Sequence, residues 1–359
     1  MEKKRRRRFL VLLIIIGVCF IFFKRSMSLP REVQPLWEKT LEGDVEEMGI
    51  LAGDSLVLWN GNILSFYDKK GQLMVEQDHS LERLKAYFGQ EWVYLYDKDL
   101  KRIYTYSKKG QPGKTLTVPG DLFALKEQNG RALLHIRQEN GEVLYMADSQ
   151  GALLSLFETE HFILDYEVAA DDDFVVAELS NQASGYRTTL FKNDGDFSRE
   201  EFPMEVAMAL GRHKNQVYML TEKKLYALGE GQIQSVEVPL VSDVLMKEDG
   251  IYLLHSGILS KYNFKLDLAK KEVVPANVLK LQDLGQAVYS YGQADMVGNL
   301  LGPWEFSVRF PQTADRVLLS KDLLIRCQGR KIYAYGLKRR LPWFMEEGLQ
   351  EIEETKEMT

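Results

Sequence analysis

The 359 residues are 45% hydrophobic and 11% aromatic, enough for a large core. Of the charges, 38 of the 46 Lys+Arg and 51 of the 52 Asp+Glu fall after residue 25, so residues 26–359 carry a net charge of −13. That balance excludes a basic phosphate-binding face and hence nucleic acid as a partner, and two cysteines, Cys19 and Cys327, exclude a disulfide framework.

The chain opens on Lys3-Lys4-Arg5-Arg6-Arg7-Arg8, followed by Phe9–Phe23, fifteen residues without a charge, and then Lys24-Arg25. Fifteen helical residues rise only about 23 Å against a hydrocarbon core of ~30 Å. Flanking Lys and Arg can snorkel and so allow a short span. The six basic residues ahead of the segment predict a cytoplasmic N-terminus and an exported remainder. We read 1–8 as a basic cytoplasmic segment, 9–23 as a transmembrane signal anchor and 24–34 as a linker. The expected location is therefore the cell membrane, crossed once, with the folded part outside. The rival is a cleaved signal peptide with Ser26-Met27-Ser28 as its small-x-small site. Arg6-Arg7-Arg8-Phe9-Leu10 also fits part of a twin-arginine signal.

Leu36–Leu41 reads as a lone strand. A hairpin then recurs. Its clearest copy is Ile63–Val75, in which a strand ends in Phe66-Tyr67, a polar turn Asp68-Lys69-Lys70 closes on Gly71, and a second strand leaves. The glycine returns as Gly110, Gly151, Gly195 and Gly231, at spacings of 39, 41, 44 and 36 residues. Glycine after Asp, Asn, Ser or Lys takes φ > 0 without steric cost, as a tight hairpin requires. Two earlier strands precede each hairpin, as at 49–52 and 56–59, 84–88 and 92–96, and 122–125 and 132–136. Helical periodicity is nearly absent after residue 30. A period near forty with four strands per unit predicts an all-β propeller over 35–340, with seven blades counted and eight as the alternative.

The last clear strands are 317–319, 323–327 and 332–335, and no fourth follows. The strand around Trp37 is expected to complete that final blade by pairing beside Tyr333, which leaves no ladder edge open between the chain ends. Glycine-marked turns lapse near Lys270-Lys271, so residues 276–312 are read as a degenerate blade or an insertion, with Gln286–Pro303 as a loop over one face. In the acidic tail, 341–359, Leu341, Met345, Leu349 and Ile352 fit one stripe of a helix.

No nucleophile elbow, zinc-protease motif, phosphate loop or dinucleotide fingerprint occurs. Of the five histidines, His135 and His255 fall on the second strand of two blades. Symmetry would aim them at a shared channel, while burial and a backbone partner is the ordinary reading. Asp171-Asp172-Asp173 lies between two apolar strands and reads as a solvated turn rather than a calcium loop. Trp304 and Arg309, in Trp304–Phe310, are candidates for a binding face or ordinary members of a blade strand. No cofactor and no metal is expected.

The turn sequence Tyr67-Asp68-Lys69-Lys70-Gly71-Gln72-Leu73 and its copies resemble the blades of PQQ-like and WD-repeat-like propellers. The tryptophan that ends the outer strand in PQQ-like blades is replaced by Met74-Val75, Leu116-Thr117 and Leu154-Ser155. The whole is similar to single-pass, membrane-anchored propellers of Gram-positive bacteria. With no catalytic constellation in a fold that often serves as a rigid ligand platform, the expected role is a non-catalytic binding or scaffold module for a protein, peptide or cell-envelope ligand. The alternatives it leaves open are a hydrolase or lyase with a metal or acid–base site in the channel and, behind that, a quinone oxidoreductase.

Overall fold

The computed structural model describes residues 31–339 and 349–351, apart from 80–82, 129, 149, 184, 195–196, 230–231, 286 and 303–304. The segments 1–8 and 9–23, and the turn glycines Gly195 and Gly231, lie outside the described residues. Among the described residues no helix is long and apolar enough to cross a membrane.

Eight sheets follow one another along the chain, antiparallel throughout but for one edge strand of the seventh. Seven are built from consecutive strands and span residues 47–78, 84–117, 121–159, 162–203, 207–237, 243–273 and 278–309, blades 1 to 7. The eighth joins Arg316–Leu319, Leu323–Gln328 and Lys331–Arg339 to the first strand of the chain, Arg31–Thr40. The larger of the two blade counts is the one realised. Within each blade the first strand is innermost. First strands of neighbouring blades bond to one another: the Leu210 amide donates to Asp165 Oδ2 at 2.8 Å, and the Leu281 amide to Asp243 Oδ2 at 2.6 Å. Fourth strands, such as Leu73–Asp78, alternate half-buried and exposed and form the rim. The core is a ring of separate apolar clusters, one between each pair of adjacent sheets, so no blade buries its faces alone.

The ring closes as the unpaired end strands require. Trp37 lies opposite Ala334 and Glu38 opposite Tyr333, in a pairing that begins at Arg31, ahead of the expected Pro35. The register shifts between Pro35 and Trp37 and leaves Leu36 as the extra residue. Without that bulge Val33 and Trp37 would share one face. With it, Val33 packs among Leu284, Tyr289 and Phe306 of blade 7, while Trp37 packs towards Met48 and Leu56 of blade 1.

The repeated turn has one construction. Asp68 Oδ1 accepts the amides of Lys70 and Gln72, both at 2.9 Å, and Asp148 Oδ1 accepts those of Gln150 and Ala152. The residue closing the turn sits in the left-handed region, Gly71 at φ 77°, Gly110 at 70° and Gly151 at 87°. Each of these glycines also docks on the outer strand of the preceding blade. A Cβ on Gly110 would lie 2.1 Å from Val75 Cγ1, and one on Gly151 3.0 Å from Leu116 Cδ2. On Gly71 it would lie 2.7 Å from the Trp37 ring, whose Nε1–H donates to Lys69 O at 3.0 Å. Trp37 thus does in the closing blade what Val75 and Leu116 do in blades 1 and 2. Gly110→Val is expected to cost about 3 kcal/mol, a left-handed φ plus a forced clash. Gly130→Ala, at φ 72° with nothing within 4 Å, isolates the backbone part at about 1 kcal/mol. Urea midpoints of the two variants check the difference, and equal shifts would refute the docking role.

Three expectations are corrected. Gln286–Pro303 is not a loop: it contributes Val288–Gly292 and Asp295–Leu300, the middle strands of an ordinary blade 7. Its polar residues go inside, where buried Asp295 takes the Arg309 guanidinium. In blade 6, Lys270 and Lys271 lie within the outer strand Leu268–Val273. The turn precedes them, with Asn263 Oδ1 accepting the amides of Lys265 and Asp267 and Leu266 at φ 62° in the place of glycine. The tail does not read as a helix at Leu349, which belongs to a strand, Leu349–Glu351, parallel to Phe306–Arg309 on the edge of blade 7. The rest of that stripe lies outside the described residues.

Candidate functional site at the channel mouth

The four residues singled out in the sequence do not come together. Trp304 lies outside the described residues. Arg309 is on the outer strand of blade 7, with its Nε–H donating to Asp295 Oδ1 at 2.9 Å. His135 and His255 are on second strands of blades 3 and 6, one strand away from the axis, and both are buried. His255 Nε2 meets Ser260 Oγ at 3.0 Å across the adjoining strand. His135 Nε2 meets Glu142 Oε2 at 2.8 Å. Glu142 also accepts the Ile163 amide of blade 4 at 2.7 Å and, through Oε1, Arg137 Nη2 at 2.8 Å. Each histidine is therefore bonded within its own blade, and Glu142 ties blade 3 to blade 4.

The ionisation of this group follows from its surroundings. Burial pushes the His135 imidazole below its usual value, and the Glu142 bond recovers only part of the fall. Burial alone would raise Glu142, but the Arg137 guanidinium, the Ile163 amide and His135 together hold its carboxyl below the usual range. His255 is lowered by burial and by the charge of Lys271. Among the described residues no three His, Cys, Asp or Glu side chains gather as metal ligands would. Asp171 and Asp172 are exposed in the turn between Phe162–Ala170 and Asp173–Gln182, and Asp173 pairs with Arg212 of blade 5. One carboxyl pair was not visible in the sequence. Glu305 lies beside Glu272 of blade 6, and loss of hydration together with the Glu272 carboxyl pushes its pKa up to about 8. Glu272 Oε2 also accepts the Leu301 amide at 3.0 Å, so the pair seats the outer turn of blade 7 on its neighbour.

A different set of residues lies where the inner strands begin. In four blades the innermost strand carries a bulge near its start, between Leu122 and Ala124, Ile163 and Asp165, Ala207 and Ala209, and Val278 and Lys280. The extra residues are Phe123, Leu164, Met208 and Leu279, all large and apolar. A bulge takes its residue out of the ladder and re-aims the side chain. Three of the four are well exposed, Phe123 at 53%, Met208 at 44% and Leu279 at 53%, while Leu164 is half-buried. Inner strands all run the same way round the ring, so these positions share one face of the propeller. Phe162, at the start of the inner strand of blade 4, and Leu240, in the connection into blade 6, are exposed on the same face, at 55% and 71%. Arg137 lies over the Phe123 ring, 4.9 Å from its centroid, and holds it from the side of blade 3. The result is an arc of apolar side chains from blade 3 to blade 7, held by regular sheet structure rather than by loops.

No protein-family model and no curated protein sequence matches the chain. Solved structures do. Sqt1 from Saccharomyces cerevisiae superposes with a TM-score of 0.58 at 10% identity, over 87% of this chain and 99% of that one. BamB from Moraxella catarrhalis gives 0.56 at 9% identity, over 85% and 100%. The WD40 domain of Neurospora crassa Pan2 gives 0.52 at 10% identity, over 87% and 97%. At such identities the likeness is one of fold. The chain is an eight-bladed β-propeller, similar in architecture to WD-repeat propellers.

Proposed function

We propose that this propeller is a non-catalytic binding module, tethered to the outer side of the cell membrane by residues 9–23, that presents its open mouth to a protein, peptide or envelope ligand. The arc of Phe123, Met208 and Leu279 carries this reading. Soluble domains rarely gather exposed apolar side chains on one face without something to cover them. Here sheet irregularities repeated at equivalent places put them there. The basic–apolar–basic start of the chain supports the tether. Fractionation of cells making the full chain tests the location. The chain is expected in the membrane pellet after a high-salt wash, and protease added to intact cells is expected to degrade the propeller while a cytosolic marker survives. Recovery in the soluble fraction, or protection from protease, would refute it.

A further inference from the structure

We infer that the face opposite the bulges, from the closing strand of blade 8 across blades 1 to 3, is a membrane-contact surface that lays exposed apolar side chains and unpaired lysines against the phospholipid headgroups of the bilayer holding the tether. The inference rests on the tethered reading above.

Strand direction picks out the face. Arg31–Thr40, the outer strand of blade 8, ends at Thr40 and leads into the inner strand of blade 1, which begins at Glu47. Thr40 therefore lies at the face where inner strands start. Arg31 lies at the opposite face, where the outer strands start and the glycine turns ahead of them sit. The seven residues 24–30 between the apolar segment and Arg31 reach at most about 25 Å when extended. A tether of that length keeps this face close to the bilayer and points the bulges away from it.

Contacts run along this face from the closing strand to blade 3. Trp37 of blade 8 donates to Lys69 O in the turn of blade 1 at 3.0 Å. From blade 1, Ser55 Oγ–H donates to Lys108 O and Gln77 Nε2–H to Gly110 O, both in the turn of blade 2 and both at 3.1 Å. Lys108 and Lys109 share a recess with Trp92. Lys114 of blade 2 donates to Gln150 Oε1 in the turn of blade 3 at 3.0 Å. Trp92 and Leu154 line one cleft of about 980 Å³ between those two blades.

Two properties of this arc suit a headgroup layer. Leu73, Met74, Trp92 and Leu154 are all exposed, at 37% to 46%, and apolar and aromatic side chains of this kind are at home where acyl chains meet headgroups. The turns beside them are basic. Lys69, Lys70 and Lys109 are exposed, and among the described residues neither they nor Lys108 has a carboxylate within ion-pair distance. Lysines next to the same turn in blades 4 and 6 are paired, Lys192 with Asp194 and Lys261 with Asp249. The acids of the arc's own turns, Asp68 and Asp148, accept backbone amides instead. Four lysines on two adjoining turns thus give an acidic domain one place that attracts lipid phosphate, with stems long enough to lie along apolar surface while the ammonium stays among headgroups.

Full-length chain in phosphatidylglycerol nanodiscs, with and without lipids brominated near the headgroup end of the acyl chain, tests the inference through tryptophan fluorescence. The fluorescence lost on Trp92→Phe belongs to Trp92, and brominated lipid should quench that difference at least about twofold. The fluorescence gained on Phe123→Trp, at the bulge face, should change by less than about a tenth. The double variant Lys69→Glu/Lys109→Glu, measured with and without Trp92→Phe, should at least halve the quenching of Trp92. The double variant Lys85→Glu/Lys98→Glu, exposed lysines of the opposite face, should leave it within about a tenth of the wild type. Both lysine variants should keep the wild-type urea midpoint, because the replaced side chains already face water. Three results would each overturn the inference: unquenched Trp92 in the wild type, quenching of the fluorescence added by Phe123→Trp, or equal effects of the two lysine pairs. The tether is read separately. A chain recovered free of nanodiscs defeats the tether and this contact together, whereas a chain that enters them with Trp92 unquenched defeats the contact alone.

Discussion

Deletion of residues 31–40 is expected to abolish cooperative folding of the whole propeller, not only of the terminus. The strand is the outer edge of blade 8, paired along nine register positions with Lys331–Arg339. It also contacts both neighbouring blades. Val33, 1% exposed, belongs to the cluster between blades 7 and 8, and Trp37 to the one between blades 8 and 1. Removing it opens the last sheet and strips one side from two apolar clusters at once. A domain holds only about 5–15 kcal/mol of net stability, and losses of this kind exceed it. Trp37→Ala alone, half-exposed but bonded to Lys69 O, should cost about 2 kcal/mol. Urea unfolding followed by circular dichroism checks both. A deletion variant that keeps a single sharp transition near the wild-type midpoint would contradict ring closure as the source of stability.

What was legible beforehand was what local chemistry encodes. The Asp68, Ser107 and Asp148 turns could be read because an Asx- or Ser-type acceptor and a left-handed glycine are both named by residue type. Blade 6 escaped because Leu266 adopts the glycine conformation, and the surviving signal was Asn263 with Asp267 four residues on. Within blade 7, Gln286–Pro303 reads as a loop because its Gly, Gln, Asn and Tyr content masks the strand alternation. Its Asn299 and Asp295 are polar yet buried, and Asn299 and Leu301 both have positive φ. The closing strand was legible by elimination, since three strands at one end and one at the other can pair in only one useful way. The channel mouth was not legible. A bulge depends on cross-strand register, and Phe123, Leu164, Met208 and Leu279 share no flanking motif. The histidines misled in the opposite sense. His135 looked exceptional in an apolar strand, but its partner Glu142 is seven residues on and across a hairpin. That link is visible only once Arg137 is known to lie opposite Glu142.

Glu142→Ala should be costly for a single polar substitution, and its consequences depend on pH in a defined direction. The carboxylate is buried and accepts from His135, the Ile163 amide and Arg137. Removal strands the buried imidazole and the amide of the next blade without their acceptor, about 3 kcal/mol in all, whereas exposed Arg137 loses little. Because the Glu142 pKa is depressed in the folded chain, its contribution is present above pH ~4.5 and is lost as pH falls through the lower folded value. His135 and His255 act in the same sense. Their folded values lie below 6.5, so the unfolded chain takes up protons first, and stability falls as pH drops below ~6.5. Glu305, raised to about 8 beside Glu272, and half-buried Glu167, also raised, act in the opposite sense between pH 8 and ~4.5, so the histidine part is read as the difference in urea midpoint between the wild type and His135→Gln, which should fall as pH drops from 7 to 5. What remains of the histidine loss in the variant belongs to His255. Glu142→Ala should lower the curve throughout while flattening its acid end. A His135→Gln profile parallel to the wild type between pH 7 and pH 5 would show that the imidazole is not held neutral by the packing of blades 3 and 4.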